Sequence, residues 1–292
     1  MKIRRGLIKF CILLLAINLP VTNVMAKSCL WQVTSGKSTL YLQGSIHVLR
    51  ENSYPLDPAI ETAYVASDVL VQEVDMQTMS SAETQARILR EATLPKGQTL
   101  RTTLDQTTYK LFNQACLDTN IPATIMEPLK PWYAAMSLSM IKLQSMGFNP
   151  NYGLDKYFND KATADKKKII GLETIDFQIK LFSSLSEEDP NKMINRTLTE
   201  LKIFKEDIEK MEQAWKKGDI ETLGALLTKS FDDYPDTYKR FILDRNAAWV
   251  KILDTLLEKS ETHMVVVGAG HLSGQGGLIE LLKNNGYALK QL

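Results

Sequence analysis

Ser38-Thr39-Leu40-Tyr41-Leu42-Gln43-Gly44-Ser45-Ile46-His47 and Met264-Val265-Val266-Val267-Gly268-Ala269-Gly270-His271 decide how this sequence folds. The first alternates β-branched and aromatic residues, the pattern of a strand ended by Gly44. The second opens on a wholly apolar run of the kind buried inside a parallel sheet. Each strand leads into Gly-x-x-His. Glycines there, Gly44, Gly268 and Gly270, let the backbone turn sharply and come close to a ligand. The histidine is then left at the carboxyl edge of the sheet, where open α/β sheets bind ligands. The chain has three histidines, and two of them close this motif. His263 has no such context and reads as a strand-entry residue.

Between the motifs, Asp57-Pro58 opens a helix reaching Ala66, with proline at the first helical position. Val69-Leu70-Val71-Gln72-Glu73-Val74 is a second strand, expected as the parallel neighbour of the first. Apolar residues spaced three and four apart predict helices over 81–91, 105–117 and 131–146, with a shorter one over 153–164. Strand character returns at Lys168-Ile169-Ile170-Gly171-Leu172, followed by a helix from Asp176. A long amphipathic helix is expected within 187–218 and another over 236–259. After the second motif come a helix over 276–285, capped by Gly286, and a strand over 287–292. The fold class is therefore α/β: a central, mostly parallel sheet from two strand-GxxH-helix-strand units. Residues 27–292 form one domain, with 80–165 and 186–260 as mainly helical insertion.

The first 26 residues stand apart. Lys2, Arg4, Arg5 and Lys9 precede the mostly apolar Phe10 to Leu19, and Val24-Met25-Ala26 suits a cleavage site. This predicts a signal peptide cut after Ala26 and a periplasmic or secreted chain. Asn18, Pro20, Thr22 and Asn23 interrupt the run short of the roughly 20 apolar residues of a spanning helix, so no stable membrane anchor is expected. The 35 basic and 34 acidic residues, with no basic block longer than Lys166-Lys167-Lys168, argue against nucleic acid as a partner. Cys29 and Cys116 remain beyond the leader. In an exported chain they allow one disulfide, with two buried free thiols as the alternative.

Acidic partners for the histidines are at hand. Glu73 ends an apolar strand, where a carboxylate costs stability unless paired or ligated. Glu173 occupies the matching place after Leu172, although Glu173-Thr174 could equally begin the next helix. Two imidazoles and a carboxylate form a set that holds a divalent ion with positions left for water; a salt bridge is the plain alternative for Glu73. The neighbours Phe241, Ile242, Ala248 and Trp249 suggest that Arg245-Asn246 faces inward from a helix, with a surface pair as the alternative. Arg245 there could neutralise a carboxylate or polarise a substrate carbonyl. The glycines from Gly268 to Gly274 imitate a dinucleotide fingerprint, but the final strand lacks the acidic residue a ribose needs.

Leu40 to Leu49, Gln72-Glu73-Val74-Asp75, Gly171-Leu172-Glu173-Thr174-Ile175, Asp244-Arg245-Asn246 and Val265 to Leu272, in this order, resemble the TraB/GumN family. Its animal relatives include the TIKI proteases that trim Wnt proteins. The resemblance implies a metal-dependent hydrolase acting on a peptide or protein substrate. His47, Glu73 and His271 would hold the ion, manganese or cobalt ahead of zinc, with Glu173, Arg245 and Asn246 in support. The wider superfamily also resembles erythromycin esterases and a haem-binding lipoprotein group. A metal-independent histidine esterase and a non-catalytic periplasmic protein that binds metal, haem or peptide are therefore the rival readings.

Overall fold

A computed structural model describes residues 28–229 and 231–292. The leader expected over 1–26 lies outside the described residues. Six strands form one sheet: β1 (Leu30–Thr34), β2 (Thr39–Ser45), β3 (Val69–Gln72), β4 (Lys168–Gly171), β5 (His263–Gly268) and β6 (Ala288–Gln291), in the order β4-β3-β5-β2-β1-β6. The four strands from β4 to β2 run parallel, while β1 is antiparallel to both β2 and β6.

The two motif strands lie side by side, with Ser45 opposite Gly268. This corrects one expectation, because β3 is not the neighbour of β2. Every residue of β5 is buried, and the strand sits between the two. The most apolar strand takes the central place, where each fully buried valine contributes about 1.5–3 kcal/mol. Its insertion brings Gln43, Gln72 and Val266 into adjacent register. The last strand likewise lands at the far edge, on β1, rather than beside β5.

The main core lies against this sheet, from Leu30, Leu40 and Val71 to Trp249, Leu253 and Leu282. A second cluster, including Leu100, Phe112, Leu138 and Ile194, is supplied by the helical region. Three of its helices are Gln106–Asp118, Pro131–Ser145 and Pro190–Lys216. Cys29 belongs to the first cluster and Cys116 to the second, and both are buried free thiols. The disulfide is therefore corrected: each sulfur packs as a small apolar group in its own core. Burial pushes their thiols up to about 12 and about 11.

The helical pattern expected over 236–259 is interrupted. A short helix, Pro235–Tyr238, passes through a π-turn, Lys239–Leu243, into Asp244–Leu257. Such wide turns re-aim the residues that follow them, and here those are Arg245 and Asn246. Among the described residues no helix is long and apolar enough to cross a membrane.

Candidate functional site

The carboxyl ends of β2, β5 and β3 deliver His47, Gly268 with His271, and Glu73 to one edge. Ala269–His271 is a single 3-10 turn that folds His271 back toward the strand ends. Gly268 shows how closely the groups approach. A Cβ there would stand 3.3 Å from both Glu73 Oε1 and His47 Nε2, and 3.6 Å from His271 Cδ2. Gly44 has a different job: a Cβ would meet Cys29 Sγ at 2.7 Å. The Gly44 carbonyl also accepts from Trp215 Nε1 at 2.8 Å, which ties the long helix to the first motif.

Each imidazole is oriented through its Nδ1. His47 Nδ1 lies 2.8 Å from Asp155 Oδ2. An ionised carboxylate only accepts, so Nδ1 carries the proton and Nε2 faces the cavity. His271 Nδ1 lies 2.7 Å from Asn246 Oδ1, while Arg245 Nη1 lies 3.1 Å from Nε2. A guanidinium only donates, so Nε2 of His271 is the acceptor and Nδ1 the donor to Asn246. Asn246 is held for this by donating its Nδ2 to the carbonyls of His271 and Gly276, at 3.1 and 2.8 Å.

Arg245 is the hub. Nε donates to Glu173 Oε1 at 2.8 Å; Nη2 donates to Glu73 Oε2 at 2.5 Å and Glu173 Oε2 at 3.0 Å. Nη1 donates to the Phe241 carbonyl at 3.1 Å and to His271 Nε2. All five guanidinium N–H groups are thereby committed. Of the two roles expected of Arg245, the structure shows the first: it neutralises two carboxylates, and it also orients Glu73 and His271. Glu173 is also fully bound, since Trp249 Nε1 donates to Oε1 at 3.0 Å and Gln178 Nε2 to Oε2 at 3.3 Å. Backbone pairing sets it beside Glu73, the Glu173 N–H donating to the Glu73 carbonyl at 2.8 Å.

The charges follow from these contacts. Burial works against ionising Glu73, but His271, Arg245, His47 and the Gly268 N–H, which donates at 2.8 Å, outweigh it and hold the group at about 2. Burial lowers His271 to about 3, so it is neutral at pH 7. The Asp155 carboxylate, ahead of the smaller contribution of Glu73, raises His47 to about 9. The His47 side chain is also the most open of the set, 64% exposed against 12% for Asp155.

These groups line a cavity of about 400 Å³, whose lining includes His47, Glu73, Asp155, Arg245 and His271 together with the apolar Met76, Met79, Met140 and Phe182. Glu173 and Asn246 are outside that lining and bond to Arg245 and His271. The structure thus gathers His47, Glu73, Arg245 and His271, and Glu173 and Asn246 as their supports. Among the described residues, no three His, Cys, Asp or Glu side chains form a set that could hold a metal ion. The expected three-donor arrangement meets Arg245, which takes the lone pair of His271 Nε2.

Sequence reasoning missed Asp155. It lies in the first turn of the Leu154–Ala164 helix, where an acidic residue also reads as a favourable helix start. Its placement is tertiary: at the preceding Gly153 a Cβ would meet the His47 carbonyl oxygen at 2.2 Å. The Leu154 N–H also donates to the Ile46 carbonyl at 3.2 Å. Trp249 and Gln178, which hold Glu173, were missed as well.

A sequence profile described as the TraB/PrgY/gumN family matches residues 29–291. "Uncharacterized protein YbaP" of Escherichia coli (strain K12) is 23% identical over 248 residues, covering 85% of this chain and 89% of that protein. The protein of the same description from Shigella flexneri matches with the same identity and coverage. No solved structure matches.

Proposed function

Since the chain belongs to the TraB/PrgY/gumN family, we propose that it is an exported, metal-dependent hydrolase, a peptidase, worked from the edge where His47, Glu73 and His271 meet. The observation that carries this reading is the convergence in front of Gly268, with His47 Nε2 and Glu73 Oε1 each 3.3 Å from one point. Those two groups would be the first donors to a divalent ion; with Arg245 on His271 Nε2, no third His, Cys, Asp or Glu joins them among the described residues. An imidazole whose other nitrogen donates to a carboxylate, as His47 does to Asp155, is the usual state of a ligating histidine. His271 has the same anchored tautomer, but its Nε2 serves Arg245, so it backs the pair rather than completing a cage. A bound ion, manganese or cobalt by family resemblance, would supply Lewis-acid polarisation of the scissile carbonyl and a nucleophile at neutral pH.

The chain's own residues do the rest. Asp155 and Asn246 fix the two imidazoles. Arg245 keeps Glu73 ionised and aimed at the cavity. The methionines and Phe182 make part of the same lining apolar, and a substrate that displaces water there would strengthen each charge inside. The C–N bond of a peptide breaks, water giving its hydroxyl to the acyl carbon and its proton to the departing amine.

One observation favours a metal-independent variant. Arg245 already places a cation against Glu73 and His271. His47, held protonated by Asp155, can donate to a carbonyl while Glu73 aligns the water. Titrating Mn²⁺ into the chain separates the readings. Stoichiometric binding that His47→Ala and Glu73→Gln abolish, with cleavage of an unstructured peptide that chelation stops, supports the metallohydrolase. Cleavage indifferent to chelation supports the acid–base variant. A folded chain that neither binds the ion nor cleaves contradicts both.

A further inference from the structure

The site cavity has a neighbour. A second cavity of about 430 Å³ opens between the Pro131–Ser145, Ile175–Ser183 and Pro190–Lys216 helices and the π-turn, with Trp132, Met136, Met140, Phe182 and Phe241 in its lining. Met140 and Phe182 line both cavities. Phe182 meets Phe241 edge-on at 5.4 Å between ring centroids, and the Phe241 carbonyl accepts from Arg245. The lining shared by the two spaces is therefore linked to Arg245 through Phe182 and Phe241.

The lining also includes Glu188, Arg196 and Glu200 but is largely apolar, and an open concavity of that kind gains from an apolar occupant. Its volume falls within the range of small-molecule pockets, roughly 300–1,000 Å³. That holds one or two large side chains and is far too small for a folded partner. A molecule entering across Met140 and Phe182 would have its polar, reacting portion against Glu73 and His47 and its apolar portion here. We propose that this cavity receives the large apolar side chain of the residue beside the hydrolysed bond, so peptides with Phe, Leu or Met there are preferred. This selectivity rests on the peptidase reading above. Neither the glycine motifs nor the histidines imply it.

Two readouts separate the failure of one idea from the failure of the other. The first compares kcat/KM for two peptides that differ only by Phe or Ala beside the cleaved bond. Discrimination of about tenfold or more in favour of Phe is expected, the scale on which hydrophobic pockets select by size. Ser139 lines the cavity from the Pro131–Ser145 helix. Ser139→Phe fills the space and should bring that ratio to near one; the smaller Ser139→Leu keeps the test if the first variant does not fold. The second readout is binding of N-acetylphenylalanine amide, followed by tryptophan fluorescence since Trp132 lines the cavity, in the wild-type chain and both variants. Cleavage without preference, or a preference that the Ser139 variants leave intact, overturns the pocket and spares the peptidase. Saturable binding lost in Ser139→Phe, with no cleavage of any peptide, keeps the pocket and overturns the peptidase. Neither binding nor cleavage overturns both.

Discussion

Replacing Arg245 by methionine keeps most of the aliphatic stem and deletes the cation at the centre of the site. Arg245 is 7% exposed, and its partners Glu73 and Glu173 are 12% and 7% exposed, so solvent screens these charges little. Removing one partner of a buried ion pair costs about 3–5 kcal/mol, because the remaining charge is left without compensation. Here two carboxylates lose it together, and the Phe241 carbonyl and His271 Nε2 lose a donor, which places the cost toward the upper end. In a chain of this size each 1 kcal/mol moves Tm by about 2–4 °C, so a fall of roughly 10–20 °C is expected. Glu173→Gln in that background removes one stranded charge and should restore part of the loss. Urea unfolding of wild type, both single variants and the double variant, followed by far-ultraviolet circular dichroism at pH 7, measures the coupling. A coupling above about 1 kcal/mol is expected for groups in direct contact. A cost for Arg245→Met under about 1 kcal/mol, or a cycle additive within about 0.5 kcal/mol, refutes Arg245 as the electrostatic hub.

Three further outcomes follow from other parts of the molecule. Asp155→Asn leaves His47 without its carboxylate and should lower ion affinity or peptide turnover by about 10- to 100-fold with the fold retained; equal activity on matched samples would remove Asp155 from the site. Gly153→Ala forces a Cβ to within 2.2 Å of the His47 carbonyl oxygen and should cost about 1–3 kcal/mol along with activity, read from Tm and turnover, while an unchanged Tm would show that the loop gives way freely. Glu212 is 3% exposed; burial works against its charge, but Lys216, Ser53 and Arg50 prevail and hold its carboxyl below the ordinary 4.5. Its contribution is present above that ordinary value and is lost as pH falls through the depressed folded value. Stability should therefore drop less between pH 7 and pH 3 in Glu212→Gln than in wild type, and identical drops would contradict the assignment.

Much of the site was legible because strand ends followed by Gly-x-x-His leave a local trace. The apolar run around Val265 to Val267 signals a buried strand, and Glu73 and Glu173 stand out as charges at the ends of such strands. Sheet order leaves no such trace. Periodicity announces β2, β3 and β5 separately, but only packing tells that β5, buried on every residue, lies between the others. β1 was missed because its contribution is tertiary: it pairs with β2 on one side and with β6 on the other, which also sets β6 far from β5. Asp155 was hidden by a residue type that suits any helix start, and the cysteines by the lack of any local sign of which core each enters. The carboxylate-neutralising role read for Arg245 is met in full, its five donors finding five acceptors that include oxygens of both glutamates.

The central claim is tested most directly by hydrolysis of an unstructured peptide by the purified chain. The assay is run with Mn²⁺ before and after chelation, beside a His47→Ala variant of matched thermal stability. Cleavage that chelation stops, that Mn²⁺ or Co²⁺ restores, and that His47→Ala lacks is the predicted result. Cleavage by His47→Ala at the wild-type rate, or a folded wild-type chain inert with every ion supplied, would contradict it.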